Sequence, residues 1–161
     1  MIVPMIGVGQ CISGDCENGY GTYTWDNDEY EGEWKKGKMN GQGTYTYDNG
    51  DKCEGEWKKG KMNGQGSLTY ANGDKYVGEF KKDMRSGQGV FIWGKGEWEG
   101  NKYIGEWQND KMHGQGTLNY ANGDKYLGGF KDGTFHGEGT YTFANGTVKQ
   151  GKHKNGIFLG E

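Results

Sequence analysis

Aliphatic side chains are scarce in this sequence. Hydrophobic residues make up 31% of its 161 positions, against roughly 45–50% in an ordinary globular domain. A core of packed aliphatics is therefore excluded. Proline occurs once, and cysteine and histidine three times each. No apolar run reaches the roughly 18 residues that a membrane-spanning helix needs. Lysine and arginine form no long block and the net charge is −3. A nucleic-acid partner is excluded on that ground, because phosphate binding needs clustered cations. Low hydrophobicity with 34 glycines would favour disorder. Two features oppose it: aromatics reach 14%, and the glycines recur at a fixed period. A chain poor in aliphatics must build its core from rings, each removing about 150–250 Å² from water when buried.

The period is 23 residues. One unit runs 30–52 (YEGEWKKGKMNGQGTYTYDNGDK) and the next 53–75 (CEGEWKKGKMNGQGSLTYANGDK), identical over 31–43 and 54–66. Three more follow, at 76–102, 103–125 and 126–148, the first of them longer by four residues. A partial unit at 19–29 precedes the five, behind an N-terminal cap at 1–18. A partial unit and cap at 149–161 follow them. Internal repetition on this scale decides the fold class: an all-β, elongated, twisted antiparallel solenoid of β-hairpins.

Each unit alternates with period 2 and carries hairpin signals. The first strand is Tyr30–Trp34, a turn falls at Lys36-Gly37-Lys38, and the second strand spans about Gly41–Tyr47. Asp48-Asn49-Gly50-Asp51 leads to the next unit, with the positive φ that such turns need. Glycine spacing and the lack of a 3.6-residue period exclude helix. Parity then sorts the faces. Rings gather on one: Tyr30, Trp34, Tyr45, Tyr47, Trp57, Tyr70, Tyr76, Phe80, Trp93, Tyr103, Trp107, Tyr120, Tyr126 and Phe130. Leu68, Phe91, Leu118, Tyr141 and Phe143 share it, with glycines between the rings. Threonines and charges take the other face, where Glu31, Glu33, Glu54 and Glu56 are expected to pair across strands with Lys52 and Lys75.

The pattern Tyr-x-Gly-x-Trp with Gly-x-Gly seven residues on resembles the MORN repeat (membrane occupation and recognition nexus). YEGEWKKGKMNGQG (30–43) and YIGEWQNDKMHGQG (103–116) carry the resemblance, which extends over roughly 19–156. The leading CISGDCENGYGTY (11–23) is similar to the opening of bacterial, stand-alone members. The resemblance implies a twisted antiparallel sheet with an aromatic groove and no single activity. Such repeats are associated with scaffolding, dimerisation and phospholipid surfaces, beside catalytic domains or alone. The repeats leave no room here for a kinase domain, and the Gly-x-Gly pairs belong to hairpins rather than to a nucleotide loop.

Departures from the pattern single out further residues. Cys53 stands where other units carry Tyr and is expected to be a buried substitute for the ring. Gly129 replaces a Glu, and Ser86 stands where others have Asn or His. An insertion around 94–100 brings Trp98, which has no counterpart elsewhere; it either folds back on the sheet or presents a contact to a partner. Cys11 and Cys16 have no companions at zinc-like spacing, so no metal or other cofactor is expected. A disulfide between them would require an oxidising compartment. Met1–Gly9 is apolar, short and without a basic lead. It reads as a strand or coil capping the first unit, or as the remnant of a secretion signal. The location stays open accordingly: cytoplasmic, peripheral to a membrane, or exported to the envelope.

No catalytic constellation emerges. His113 and His136 occupy a position held elsewhere by Asn40 and Asn63, which marks them as structural. The carboxylates recur in register rather than forming one unrepeated pair in a cleft. The expectation is a non-enzymatic scaffold whose aromatic groove or sheet edge binds a protein or a second copy of itself, as in a homodimer. An alternative is an anionic membrane surface met by Lys35, Lys36, Lys58, Lys59, Lys81 and Lys82, with Lys38 and Lys61 in the same row. Carbohydrate stacking on the rings ranks third.

Overall fold

A computed structural model describes residues 9–160; Met1–Val8, most of the apolar opening, and Glu161 lie outside them. Fourteen strands form one open antiparallel sheet in strict chain order, each strand bonded to its sequence neighbours. They are β1 (Gln10–Gly14), β2 (Tyr20–Trp25), β3 (Asp28–Lys35), β4 (Lys38–Thr46), β5 (Lys52–Lys58), β6 (Lys61–Thr69) and β7 (Lys75–Lys81). Then come β8 (Met84–Ile92), β9 (Lys102–Gln108), β10 (Lys111–Asn119), β11 (Lys125–Lys131), β12 (Thr134–Thr142), β13 (Val148–Lys154) and β14 (Ile157–Gly160). The described residues contain no helix, and the hairpin solenoid read from the sequence is the fold.

Hairpins close at one margin of the sheet through two-residue turns. Lys36 (φ 52°) and Gly37 (φ 63°) are both left-handed, the geometry whose twist matches the strands it joins. Glycine is absent from two such turns, at Lys82-Asp83 and Asn109-Asp110. There the aspartate side chain offers compensation. Asp83 Oδ1 accepts the Met62 N–H at 2.8 Å, and Asp110 Oδ1 accepts that of Arg85 at 2.9 Å. At the opposite margin, units are joined by an aspartate ladder. Asp28, Asp51, Asp74 and Asp124 each accept a backbone N–H 20 residues further on, at 2.6–2.8 Å. Asn101, buried beside the insertion, takes the same part toward Ala121 at 2.8 Å.

Every full hairpin also contains a bulge that period-2 reading does not resolve. Gly32 faces Gly43 and Trp34 faces Met39, so Glu33 alone stands opposite residues 40–42. Glu33 Oε1 accepts the Gln42 N–H freed by the bulge, at 2.8 Å. Glu56, Glu79 and Glu106 repeat the bond at 2.8–3.0 Å. This corrects the expected cross-strand charge pairing: Glu33 and Glu56 cap backbone, Glu31 accepts from the Tyr20 hydroxyl at 3.1 Å, and Glu54 meets Lys52 at 3.1 Å along its own strand. In the unit where Gly129 replaces the glutamate, a Cβ would collide with the His136 carbonyl, so the bulge closes over backbone instead.

The core lies on the ring-bearing face. Tyr30, Tyr76, Tyr103 and Tyr126 are wholly buried. Tyr30 meets Trp34 of its own unit edge-on at 5.1 Å and Trp57 of the next at 5.3 Å. Its hydroxyl passes over Gly32 and Gly43 and donates to the Glu33 carbonyl at 3.2 Å. A Cβ at either glycine would strike that hydroxyl or ring, which is why both positions are empty of side chain. Each unit thus packs against its neighbours alone, the condition for near-additive solenoid stability.

Candidate functional site

The structure divides the predicted groove residues into two sets. Tyr30, Trp34, Trp57, Tyr76, Phe80, Tyr103, Trp107, Tyr126 and Phe130 are 6% exposed or less. The groove is narrower than the sequence reading had it: these nine form its floor and present only a small area to anything seated in it. The reason is geometric. They sit at the first and fifth positions of the first strand, near its centre, where both neighbouring units cover them. Tyr45, Tyr70, Trp93 and Tyr120 are half-buried against that floor and Tyr47 is exposed. They lie at the ends of the second strands, toward the aspartate ladder. Tyr45 donates to Asp28 Oδ2 at 2.8 Å, and Tyr141 to Asp124 Oδ2 at 2.8 Å. Burial, then these carboxylates, raise both phenols well above the usual range and keep them neutral donors.

The irregular unit shapes the trough most. Its insertion is tied down: the Gly94 N–H donates to Asp74 Oδ1 at 2.6 Å, and Lys95 N–H to the Asn72 carbonyl at 2.9 Å. The Asn101 N–H closes the loop onto the Trp98 carbonyl at 3.0 Å. Trp98 therefore leans toward Trp93, ring centres 6.3 Å apart, while remaining 47% exposed. Below it opens a cavity of about 350 Å³, lined by Trp93, Trp98, Met112, Leu118, Tyr120, Phe130, Thr134 and Phe135. The lining is nearly all apolar.

Arg85, which the sequence reading passed over, lies on the aromatic face in the same unit. It replaces the methionine of Met39, Met62 and Met112. Its guanidinium rests 4.5 Å over Trp107 and 5.3 Å over Phe91. Nε donates to Asp110 Oδ1 at 3.1 Å and Nη2 to the Asp110 carbonyl at 2.9 Å. The 23-residue alignment of units, compared position by position, holds the signal for it: one cation in a column of Met39, Met62, Met112 and Phe135.

Cys53 is buried, and burial pushes its thiol up to about 11, which leaves it protonated and a poor nucleophile near neutral pH. Met62 fills the space of the missing ring. Its terminal methyl lies over Gly66, where the tyrosine hydroxyl lies in other units. Cys11 and Cys16 are joined in a disulfide that ties β1 to the turn before β2. His153 is buried in a ring position, 5.2 Å from Tyr126 and 5.7 Å from Phe135. Nδ1 of His136 and of His153 have no hydrogen-bond partner among the described residues. Among the described residues no three His, Cys, Asp or Glu side chains gather as metal ligands.

The lysines lie along the two-residue turns. Lys35, Lys36, Lys38, Lys58 and Lys59, with Asn40, surround an open cavity of about 460 Å³ that no carboxylate of the described residues lines, although that of Glu17 lies beside Gly37 in the same turn. Further along, aspartates enter the same row: Lys61 pairs with Asp83 at 3.3 Å and Lys111 with Asp132 at 3.9 Å. Lys81 and Lys82 are exposed on the turn that carries Asp83.

No curated protein sequence matches the chain. Among solved structures, the sheet is similar to the TCP domain of SAS-4 (dCPAP) of Drosophila melanogaster, determined with a proline-rich motif of Ana2 (dSTIL). Identity is 13%, over 84% of this chain and 72% of that one, with a TM-score of 0.49. The model of the MORN repeat family matches residues 17–28, 30–52, 53–75, 76–98, 103–125 and 126–148. With most of its length matched in register, the chain belongs to the MORN repeat family and is a repeat scaffold.

Proposed function

We propose that the protein is a non-catalytic scaffold that binds a protein partner in the trough beside the irregular unit. One observation carries the reading: an apolar cavity of about 350 Å³ whose rim is the half-exposed Trp98, held in place by loop bonds to Asp74 and Asn72. Large, fixed rings beside an open apolar pocket are what protein interfaces use as anchors. The carboxylates support the same conclusion, since the four glutamates of the bulges cap backbone and are committed to structure. Affinity capture from the native source tests it, with the wild type beside a Trp98→Ala/Tyr120→Ala variant of unchanged circular dichroism. The proposal requires a partner retained by the first and lost by the second. Equal retention overturns it. Light scattering of the same pair decides whether the partner is a second copy.

A second reading is favoured by the lysine cavity, which has five ammonium groups and no lining carboxylate among the described residues. It would meet an anionic membrane surface at about 1 kcal/mol per lysine. Co-sedimentation with phosphatidylserine vesicles should then fall when Lys35, Lys36, Lys58 and Lys59 become glutamine. Vesicle binding indifferent to those changes, or absent, removes the reading.

A further inference from the structure

We propose that the cavity between Asp51 and Asp83 is an arginine subsite of the trough, which takes the guanidinium of a side chain on the protein partner. The inference rests on the trough reading and names the chemistry of one of its pockets. The cavity measures about 210 Å³; Tyr47, Trp57, Tyr70 and Phe80 supply its aromatic walls, and Asp51 and Asp83 its two carboxylates.

The chain carries its own precedent one unit further on. There Arg85 lies over Trp107, 4.5 Å from its ring centre, and is held by Asp110 through Nε and Nη2. In the repeat alignment Phe80 takes the place of Trp107, Asp83 that of Asp110, and Met62 that of Arg85. Met62 does not occupy the equivalent space. Because Cys53 is smaller than the tyrosine of other units, Met62 turns down into the vacancy over Gly66 and is 3% exposed. A cavity lined by Phe80 and Asp83 remains on that side, although Phe80 itself is only 4% exposed. With tyrosine replaced by cysteine and the methionine drawn inward, the cavity here is lined by rings and two carboxylates and holds no cation of the chain's own among the described residues.

Both carboxylates have capacity left. Asp83 accepts the Met62 N–H at 2.8 Å and meets Lys61 at 3.3 Å, an exposed pair of the kind an incoming guanidinium displaces at little cost. Asp51 accepts from the Ala71 N–H at 2.8 Å and from Asn49 Nδ2 at 3.0 Å. An ionised carboxylate offers about four acceptor sites. Arginine fits better than lysine, because its planar group stacks on rings, is less strongly hydrated and forks onto carboxylates.

The test is a titration of the intact chain with N-acetyl-arginine amide, read by nitrogen–proton correlation spectra. Shifts should cluster at the Trp57 indole and the amides around Met62, Tyr70 and Asp83. They should weaken by about tenfold or more in Asp83→Asn. The neutral citrulline analogue should produce none. Cys53→Tyr supplies a second variant that keeps every charge; it restores the ring, pushes Met62 outward and should abolish the clustered shifts. Equal shifts with citrulline, shifts scattered over the surface carboxylates, or binding unchanged in both variants overturn the subsite. A partner that still depends on Trp98 and Tyr120 when arginine fails leaves the trough reading intact. A partner indifferent to both rings sinks the trough reading, whatever the titration shows.

Discussion

The units at 103–125 and 53–75 share a hairpin, a bulge and a buried tryptophan, and they part at the first ring. Tyr103 sends its hydroxyl over Gly105 and Gly116 to the Glu106 carbonyl at 2.9 Å. Cys53 reaches none of these, and Met62 enters from the neighbouring strand to cover Gly66. Strand order and register outside the bulge are the same in both, while at the bulge Gly64 has φ 128° where Gly114 has φ 57°. What changes is which residue fills the glycine gap, and hence what is left open above it. In 103–125 the gap is closed by the unit's own ring and Met112 stays half-exposed in the trough. In 53–75 the methionine is consumed and a cavity opens between Asp51 and Asp83. A repeat scaffold therefore acquires individual surface features through side-chain recruitment, without altering its frame.

That contrast can be broken in several ways. The largest effect should come with alkali. Burial raises the phenols of Tyr30, Tyr76 and Tyr103 well above their ordinary value of 10.0. The folded state holds these protons more tightly than the unfolded one. Its stability from them is complete below pH ~10 and is lost as pH rises further. The phenolate absorbance of these three should thus appear in one cooperative step with unfolding, separate from that of exposed phenols such as Tyr20.

Next in size, Tyr103→Ala should cost about 3–5 kcal/mol in urea denaturation, as truncation of a buried ring does. Cys53→Ala should cost about 1 kcal/mol, since it removes one atom from a site already filled by Met62. Similar losses for the two would contradict the recruitment of Met62. The methionines sharpen the same point. Met62→Ala should cost about 2–4 kcal/mol and Met112→Ala, half-exposed, about half as much. Smaller again, Glu106→Ala should cost about 1 kcal/mol by leaving the Gln115 N–H to water. Amide exchange at Gln115 should quicken in that variant while exchange at Glu138, whose unit already lacks the cap, stays as it was.

Much of the frame is legible in the amino-acid sequence because it is written many times over. A period of 23 residues, alternation of Tyr, Gly and Trp, and Asn-Gly ahead of the units that start at 53, 76 and 126 specify hairpins, faces and strand order together. Less of the site is legible. Parity places Tyr30 and Tyr45 on one face alike, but depth depends on cover from both adjoining units. Only the first is wholly buried. The bulge keeps parity, since residues 40–42 face Glu33 alone, so alternation passes over it and the glutamates look like surface charges. Their spacing from the Gly-x-Gly pairs was the available signal. Arg85 and Met62 escaped for a related reason. Both positions follow a turn and look like solvent-facing linkers, and only the cross-unit contacts, with Trp107 and with Gly66, give them a role.

The central claim is that the rings serve two separate purposes, with the regular ones holding the sheet and the irregular one meeting a partner. A paired measurement on Trp107→Ala and Trp98→Ala tests it most directly, with urea stability and partner retention recorded for each. Trp107, 6% exposed and bonded through Nε1 to the Gly89 carbonyl at 3.4 Å, should cost about 3–5 kcal/mol on truncation. Trp98, 47% exposed, should cost less than about 0.5 kcal/mol yet lose the partner. A Trp98→Ala protein that is equally stable and still retains the partner would contradict the account.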